Sequence, residues 1–169
     1  MKYFKLHLIR HGLTAANLEG RYIGSGTDLS LCEEGRTGLL ELKREFEYPQ
    51  VGLVFTSPLL RAKETAEILY PGVRTIALQD LREMGFGVFE NRLLTELAQD
   101  PDFAAWMDPT SEKVPEGAES RQAFADRSGG MLMKLFEFMI KTHTEETACV
   151  THGGVIMNML ARHALPQRR

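Results

Sequence analysis

Short apolar runs alternate with longer, helix-like segments along nearly the whole chain, and this alternation limits the possible folds more than any other feature. The runs that have the length and composition of buried strands are 3–9, 51–55, 73–78 and 148–151. Strands that alternate with helices in this way are typical of α/β proteins with a largely parallel sheet. The sequence therefore predicts an α/β fold.

The helix-like segments carry apolar residues on one face and have recognisable boundaries. They cover residues 35–47, 57–70, 92–98, 103–107, 120–141 and 153–164. Ser57 and Pro58 suit the N-cap and the first helical position of the second segment. Because an interior glycine costs about 1 kcal/mol relative to alanine, Gly129 and Gly130 predict a kink or close packing in the long segment.

Composition excludes several classes of function. The 169 residues fit one domain (1–169), and the net charge of −3, from 20 basic and 23 acidic residues, gives no support to a nucleic-acid or membrane partner. An anionic small molecule is compatible with this balance, because a few arginines in one cleft hardly change the total. The chain lacks an apolar stretch typical of a signal peptide or a membrane span, so we expect a cytoplasmic protein. Its two cysteines do not make a disulfide framework in a chain of this length.

The polar residues with the most reactive side chains come soon after the predicted strands. Arg10 and His11 follow the first strand, Arg61 the second, Glu83 the third and His152 the fourth. The carboxyl ends of parallel strands lie along one edge of a sheet, and ligands bind in the crevice there. We therefore expect these five side chains to share one site.

Two arginines in one site indicate a phosphate ligand, because their forked and permanently charged guanidinium groups match phosphate oxygens. Backbone N–H groups at the helix start after Ser57 are expected to add further donors. A neutral imidazole on His11 can attack phosphorus while a backbone carbonyl holds its second nitrogen. We expect the neighbouring arginines to lower the pKa of His11 and keep it unprotonated.

Glu83 is the candidate acid that protonates the leaving oxygen, if burial or phosphate charge raises its pKa towards neutrality. Glu90 is a nearby alternative carboxylate. A protonated His152 would add positive charge for the transition state. A metal site built from His11, Glu83 and His152 is a competing interpretation, disfavoured because two adjacent guanidinium groups repel a cation.

The motifs around these residues resemble those of the histidine phosphatase superfamily, in its phosphoglycerate-mutase-like branch. The matching segments, in the family's order, are LIRHGLTAANLEGRYIGSGTDLSL, FTSPLLRAKETAEIL, LREMGFGVFENRLLTEL, PEGAESRQAFADR and CVTHGG. The resemblance implies a three-layer α/β/α domain that works without a metal or an organic cofactor. It also implies that His11 is phosphorylated in turnover and that Glu83 is the proton donor. The phosphate pocket that it implies consists of Arg10, Asn17, Arg61 and His152.

The chain departs from the family's pattern in a few places. Phe89-Glu90-Asn91 stands where many relatives have Trp-Glu-Gly, and Ala118 replaces a glycine. Relatives continue well past the equivalent of Pro166 with a helical stretch and a last strand, whereas this sequence ends at Arg169. If that C-terminal edge element is missing, we expect an exposed sheet edge.

The sequence thus predicts a metal-independent phosphomonoester hydrolase that acts on a small phosphorylated metabolite through a phosphohistidine. Its EGAES–FADR segment is most similar to the bacterial alpha-ribazole-5′-phosphate phosphatases of cobalamin synthesis, which makes alpha-ribazole 5′-phosphate a candidate substrate. A cofactor-dependent phosphoglycerate mutase is one alternative, although only Arg92 and Lys113 are basic between residues 84 and 116. A catalytically silent phospholigand-binding domain is the other. The oligomeric state stays open, with a homodimer as one option.

Overall fold

The computed structural model describes residues 3–108 and 110–163, and a sheet of four parallel strands forms its centre. In chain order the strands are β1 (Lys5–Arg10), β2 (Arg21–Tyr22), β3 (Leu53–Thr56), β4 (Arg74–Ala77), β5 (Arg92–Leu93) and β6 (Glu146–Thr151). The parallel sheet has the order β1-β6-β3-β4, so β1 and β4 form its edges in the described part of the chain. Strands β2 and β5 form a separate antiparallel pair.

Seven α-helices accompany the strands in the described residues. They are α1 (Ala15–Leu18), α2 (Glu33–Glu45), α3 (Leu60–Leu69), α4 (Leu94–Leu97), α5 (Pro101–Met107), α6 (Arg121–Lys141) and α7 (Gly153–His163). Short 3-10 turns cover Gln79–Leu81 and Gly87–Phe89. None of the helices that the structure describes is both long and apolar enough to cross a membrane.

The sheet is covered on both faces, because successive side chains of its buried strands point to opposite sides. On one face Val54 and Val150 pack against α2 and α3 through Leu39 and Ala66. On the other face the core joins the sheet to α6 and α7 and includes Phe55, Cys149, Met131, Leu135 and Met159. These two cores give the three-layer α/β/α architecture that the sequence predicted.

A third, aromatic cluster lies beside the sheet and supports the segments that follow β4. Its buried members are Phe86, Phe89, Leu97 and Trp106. Tyr22 of β2 stacks on Phe86 with ring centroids 4.1 Å apart. The cluster therefore ties the β2–β5 pair to the loops between β4 and α5.

The four predicted sheet strands and the long helix are confirmed. Ser120 is the N-cap of α6, and its Oγ accepts the N–H of Ala123 at 3.1 Å. The helix runs unbroken past Gly129, where an added Cβ would lie only 2.7 Å from Cδ of Arg162 in α7. Gly129 thus serves close packing between helices. The predicted end of the last helix at Ala164 and the chain end that follows it lie outside the described residues.

Two local predictions are wrong because distant segments override the local pattern. Helix α3 begins at Leu60, after the N-cap Leu59, and neither Ser57 nor Pro58 starts it. The N–H of Leu60 donates to Oδ1 of Asp28 at 2.7 Å, so the capping carboxylate comes from a different loop. The segment predicted as helix 92–98 starts as strand β5, since its first two residues pair with β2.

Candidate active site

A cavity of about 600 Å³ opens at the carboxyl ends of the parallel strands. Among the predicted site residues, those that line it are Arg10, His11, Asn17, Arg61 and Glu83, and these five together with His152 are called the polar half. His152 lies directly behind them, with its ring centroid 5.1 Å from that of His11. The structure thus brings the six predicted residues together.

The imidazole of His11 has one nitrogen fixed by the main chain. Its Nδ1 lies 2.7 Å from the carbonyl oxygen of Gly12. A carbonyl only accepts hydrogen bonds, so Nδ1 carries the proton and Nε2 keeps a free lone pair. The loop itself is held by the Gly12 N–H, which donates to Oγ1 of Thr65 at 2.9 Å.

The pKa of His11 is lowered to about 4, mainly by burial and also by the positive charges of Arg61 and Arg10, while the Gly12 hydrogen bond acts in the opposite direction. The predicted direction was therefore right, but burial and not the arginines is its main cause. His11 is neutral at physiological pH in the free protein. A neutral imidazole with a free Nε2 is the nucleophilic form of this side chain.

Arg61 is fully buried in the first turn of α3 and is therefore not an ordinary surface arginine of that helix. Its Nη1 donates to the carbonyl of Thr27 at 2.8 Å and its Nη2 to that of Gly24 at 3.0 Å. Glu64, three residues further along α3, forms an ion pair with Arg36 at 2.8 Å. Arg61 is thus anchored by loop carbonyls, and its Nε is a buried donor without a hydrogen-bond partner in the described chain.

The start of α3 does not supply the backbone donors that the sequence predicted. The N–H of Leu60 is engaged by Asp28, and the N–H of Leu59 donates to Oγ of Ser57 at 3.3 Å. Both are satisfied within the protein, so these two N–H groups are not free to bind an anion.

His152 is fully buried beside Ser57, and its Nε2 lies 2.7 Å from Oγ of Ser57. A buried hydroxyl proton needs an acceptor, and this Oγ already accepts the N–H of Leu59, so we assign the Ser57 proton to Nε2. The imidazole proton then sits on Nδ1, a buried atom without a partner among the described residues. His152 and Arg61 therefore present two unpaired buried donors, Nδ1–H and Nε–H.

Burial lowers the pKa of His152 to about 2, and the charges of Arg61 and of His11 when protonated act in the same direction. The expectation of a protonated His152 is therefore wrong for the free protein. The sequence could not reveal this, because the pKa depends on burial beneath the first layer of side chains. His152 contributes an N–H dipole and not a full charge.

Glu83 is almost completely buried, with 9% of its surface exposed. Its Oε1 accepts the N–H of Met84 at 3.0 Å and its Oε2 that of Gly154 at 3.1 Å. Burial raises the pKa of Glu83 and outweighs the lowering effects of these hydrogen bonds and of Arg61 and Arg127. A Cβ on Gly154 would lie 2.5 Å from Oε1, so the close approach that this glycine permits is to Glu83.

Glu90, the rival carboxylate, is a structural residue. Its oxygens accept N–H groups of Gly24, Gly26 and Phe86 at 2.9, 2.9 and 3.1 Å, and the hydroxyl of Thr27 at 2.6 Å. It is not among the residues that line the cavity. The geometry therefore selects Glu83 as the carboxylate of the site.

The side chain of Asn17 has one group with a structural role, its oxygen, and one group that faces the cavity, its NH₂. Its Oδ1 accepts the N–H and the hydroxyl of Thr14, both at 3.0 Å, in the cap of α1. This engagement orients the side chain and leaves its amide NH₂ as the donor at the cavity wall.

The rest of the cavity wall is apolar, and no motif spacing predicted it. This apolar half consists of Leu13, Tyr22, Ile23, Met84, Phe86, Leu94, Phe124 and Met157. Arg21, which also lines the cavity, donates to Oε2 of Glu19 at 2.6 Å and to the carbonyl of Asn91 at 2.8 Å. The cavity thus joins an anion-binding end to an apolar end.

Known proteins share both this sequence pattern and this fold. The profile of the histidine phosphatase superfamily (branch 1) matches residues 6–168. The chain is 32% identical, over 94% of its length and 78% of the relative's, to the adenosylcobalamin/alpha-ribazole phosphatase of Escherichia coli. It superposes on the alpha-ribazole phosphatase of Shigella flexneri with a TM-score of 0.80 at 30% identity, covering 93% of this chain and 78% of that one. A phosphoglycerate mutase structure from Thermus thermophilus gives a TM-score of 0.71 at 34% identity, covering 92% and 82%.

The family match spans nearly the whole chain, and its relatives include phosphatases at more than 30% identity. The chain belongs to branch 1 of the histidine phosphatase superfamily and is a phosphoric monoester hydrolase.

Proposed function

We propose that the protein hydrolyses a small phosphomonoester without a metal ion, by transferring the phosphoryl group first to Nε2 of His11 and then to water. The observation that carries the proposal is the convergence of an uncharged His11 Nε2 with the donors of Arg10 and Arg61 in one cavity, with the imidazole of His152 packed behind that of His11. Such donors stabilise the charge that develops on the phosphoryl oxygens in the transition state.

In the first step, Nε2 of His11 attacks phosphorus in line with the leaving oxygen. The N–P bond forms as the P–O bond breaks, and Glu83 gives its proton to the leaving oxygen. A raised pKa suits Glu83 to this role, because it favours the protonated carboxyl group that an acid catalyst needs. The Gly12 carbonyl stabilises the positive charge that His11 acquires.

In the second step, water attacks the phosphohistidine and Glu83, now ionised, takes a proton from it. The N–P bond breaks, inorganic phosphate leaves and His11 returns to its neutral form. Nδ1–H of His152, Nε–H of Arg61 and the amide of Asn17 are the candidate donors to the phosphoryl oxygens in both steps.

For the substrate we propose alpha-ribazole 5′-phosphate, a ribosyl phosphate that carries an aromatic base. The names of the relatives support this choice. The apolar half of the cavity supports it too, since an uncharged aromatic leaving group matches that wall. A homodimer and a cytoplasmic location stay predictions of the sequence.

The cations of the chain argue against a phosphoglycerate mutase. A phosphoglycerate has a second anionic group, which needs a cation beyond the phosphate pocket. Arg92 is paired with Asp100 at 2.8 Å and Lys113 with Asp102 at 2.5 Å, and neither Arg92 nor Lys113 lines the cavity. Arg21 is engaged by Glu19.

The test is hydrolysis of p-nitrophenyl phosphate in excess EDTA by the wild type, His11→Ala and the control His7→Gln. We expect turnover that resists EDTA, is inhibited by vanadate and is lost in His11→Ala. The control His7→Gln should stay active, because His7 pairs with Glu146 and does not line the cavity. Activity lost in EDTA would instead favour a metal site at His11, Glu83 and His152. Transfer of phosphate between two phosphoglycerates, without release of inorganic phosphate, would favour the mutase. Binding of vanadate without any turnover would favour the catalytically silent binding domain.

A further inference from the structure

The PEGAESRQAFADR segment supplies a buried arginine that contacts the main chain around Glu83. Arg127 of α6 is 11% exposed at its side chain. Its Nη1 donates to the carbonyls of Asp80 at 2.9 Å and Arg82 at 2.8 Å, and its Nη2 donates to that of Glu83 at 3.0 Å. One rigid guanidinium group therefore fixes three carbonyls within four consecutive residues.

Glu119, from the same segment, holds this guanidinium in place. Its Oε1 accepts Nε–H of Arg127 and its Oε2 accepts Nη2–H, both at 2.7 Å. The N–H of Glu119 in turn donates to the carbonyl of Gly85 at 2.9 Å. The guanidinium also lies over the ring of Phe124, 5.0 Å from its centroid, and Phe124 lines the cavity. The pair thus joins the start of α6 to the segment 80–85 and to the cavity wall.

The carboxylate of Glu83 depends on that segment for its position. Within the described part of the chain, its carboxylate accepts hydrogen bonds from two main-chain N–H groups, those of Met84 and Gly154. Met84 is the residue next to Glu83, so any shift of the segment moves the carboxylate and one of its two donors together. A displacement of about 1 Å in a catalytic group costs on the order of 10²-fold in rate.

We propose that Arg127 and Glu119 form a positioning pair that sets the geometry of Glu83 for proton transfer to the leaving oxygen. This inference rests on the proposed function, in which Glu83 is the acid. The charge of Arg127 also lowers the pKa of Glu83, so the pair acts on both the location and the acidity of the proton. Neither residue touches the substrate.

Leaving-group dependence separates this role from a merely structural one. p-Nitrophenolate leaves readily without a proton, whereas the alkoxide of glycerol 2-phosphate needs one. For Arg127→Met we expect kcat/KM to fall on the order of 10²-fold with glycerol 2-phosphate and by less than about 3-fold with p-nitrophenyl phosphate. Inhibition by inorganic phosphate should keep its wild-type constant, because the phosphate donors are elsewhere.

Two further variants make the test specific. Glu119→Gln keeps Arg127 but weakens its anchor, so we expect a smaller loss, about 10-fold, with glycerol 2-phosphate. Arg162→Met is the matched control, since Arg162 also reaches α6 but contacts Ala125 and Asp126 and not the segment 80–85. In Arg162→Met, kcat/KM for both substrates should stay within about 2-fold of the wild-type values.

A third comparison uses the acid itself. In Glu83→Gln the proton is already missing, so adding Arg127→Met should change the ratio of kcat/KM for the two substrates by less than about 3-fold. Multiplicative losses in the double variant would contradict the positioning role.

The outcomes distinguish this inference from the proposed function. Equal losses with both substrates in Arg127→Met and Glu119→Gln, together with a lower Tm, would make the pair structural and overturn the inference while leaving the phosphatase intact. Unchanged activity in both variants would overturn it as well. If Arg127→Met does not fold, the Glu119→Gln ratio decides. A wild type inactive on both substrates would instead overturn the proposed function, and the inference with it.

Discussion

The polar half of the cleft is assembled mainly after the ends of sheet strands, whereas the apolar half is assembled from loops, strand β2 and the helices α4, α6 and α7. In the polar half Arg61 and His152 are fully buried and Glu83 nearly so, each held by hydrogen bonds inside the protein. In the apolar half Leu94 is 46% exposed and Met157 is 71% exposed. The contrast indicates a preorganised end for chemistry and an adaptable end for the leaving group.

The comparison predicts that even a conservative substitution in the polar half strongly reduces activity. For Arg61→Lys we expect kcat/KM with p-nitrophenyl phosphate to fall on the order of 10³-fold, because an ammonium cannot hold two loop carbonyls and direct a donor at phosphate. Arg21→Lys is the control, since Arg21 also lines the cavity but contacts Glu19 at the surface. It should stay within about 3-fold. Similar losses in both variants would remove the distinction between the halves.

Two adjacent glycines of α7 provide a finer test of how closely the polar half is packed. In Gly154→Ala the new Cβ would lie 2.5 Å from Oε1 of Glu83, so the carboxylate must shift. We expect kcat/KM with glycerol 2-phosphate to fall about 10²-fold. In Gly153→Ala the nearest atom is Nε of Arg10 at 3.7 Å, an ordinary contact, and activity should stay within about 3-fold. Steady-state kinetics of the two variants checks this, and equal losses would mean that Glu83 tolerates displacement.

The polar half was predictable because its residues follow strands whose apolar runs are visible in the sequence. Arg10, His11 and His152 lie within one residue of the ends of β1 and β6, and the parallel order brings those ends together. The charge state of His152 was not predictable, since it depends on full burial beside Ser57. Packing between distant parts of the chain sets such quantities.

The apolar half was not predictable for a related reason. Strands β2 and β5 have two residues each and form only because segments 70 positions apart meet around Phe86 and Trp106. The predicted start of α3 was wrong for the same reason, since Asp28 caps this helix from another loop. Local propensity is a weak guide where tertiary contacts decide the structure.

A lower pH should destabilise the fold, because His11 and His152 in the polar half have lowered pKa values. The pKa values of His11 and His152, about 4 and about 2, lie below the unfolded value of 6.5. Between about pH 6.5 and pH 4 the unfolded chain therefore binds more protons, and the free energy of unfolding falls as the pH decreases. Each histidine contributes at most about 1.4 kcal/mol per pH unit, whereas Glu83, with its raised pKa, acts in the opposite direction.

Urea unfolding at pH 7, 6 and 5 measures this slope. In His11→Asn, the change of the free energy of unfolding with pH should be smaller, because one histidine with a lowered pKa is missing. In the double variant with His152→Asn, this change should be smaller still. A slope unchanged in the double variant would mean that these imidazoles have the same pKa in the folded and the unfolded chain, against the pKa lowered by burial on which the neutral nucleophile rests.

The smallest expected effect belongs to the apolar half. Met157 is 71% exposed in α7, so Met157→Ser should change the free energy of unfolding by less than about 0.5 kcal/mol. When an apolar leaving group covers this side chain, the lost burial of about 1 kcal/mol should raise KM for 1-naphthyl phosphate about 5-fold. Inhibition by inorganic phosphate should not change, because phosphate occupies the other half. Met133→Ser, exposed on α6 and outside the cavity wall, is the control. If Met157→Ser changes both constants equally, the two halves are coupled, and if it changes neither, the leaving group binds elsewhere.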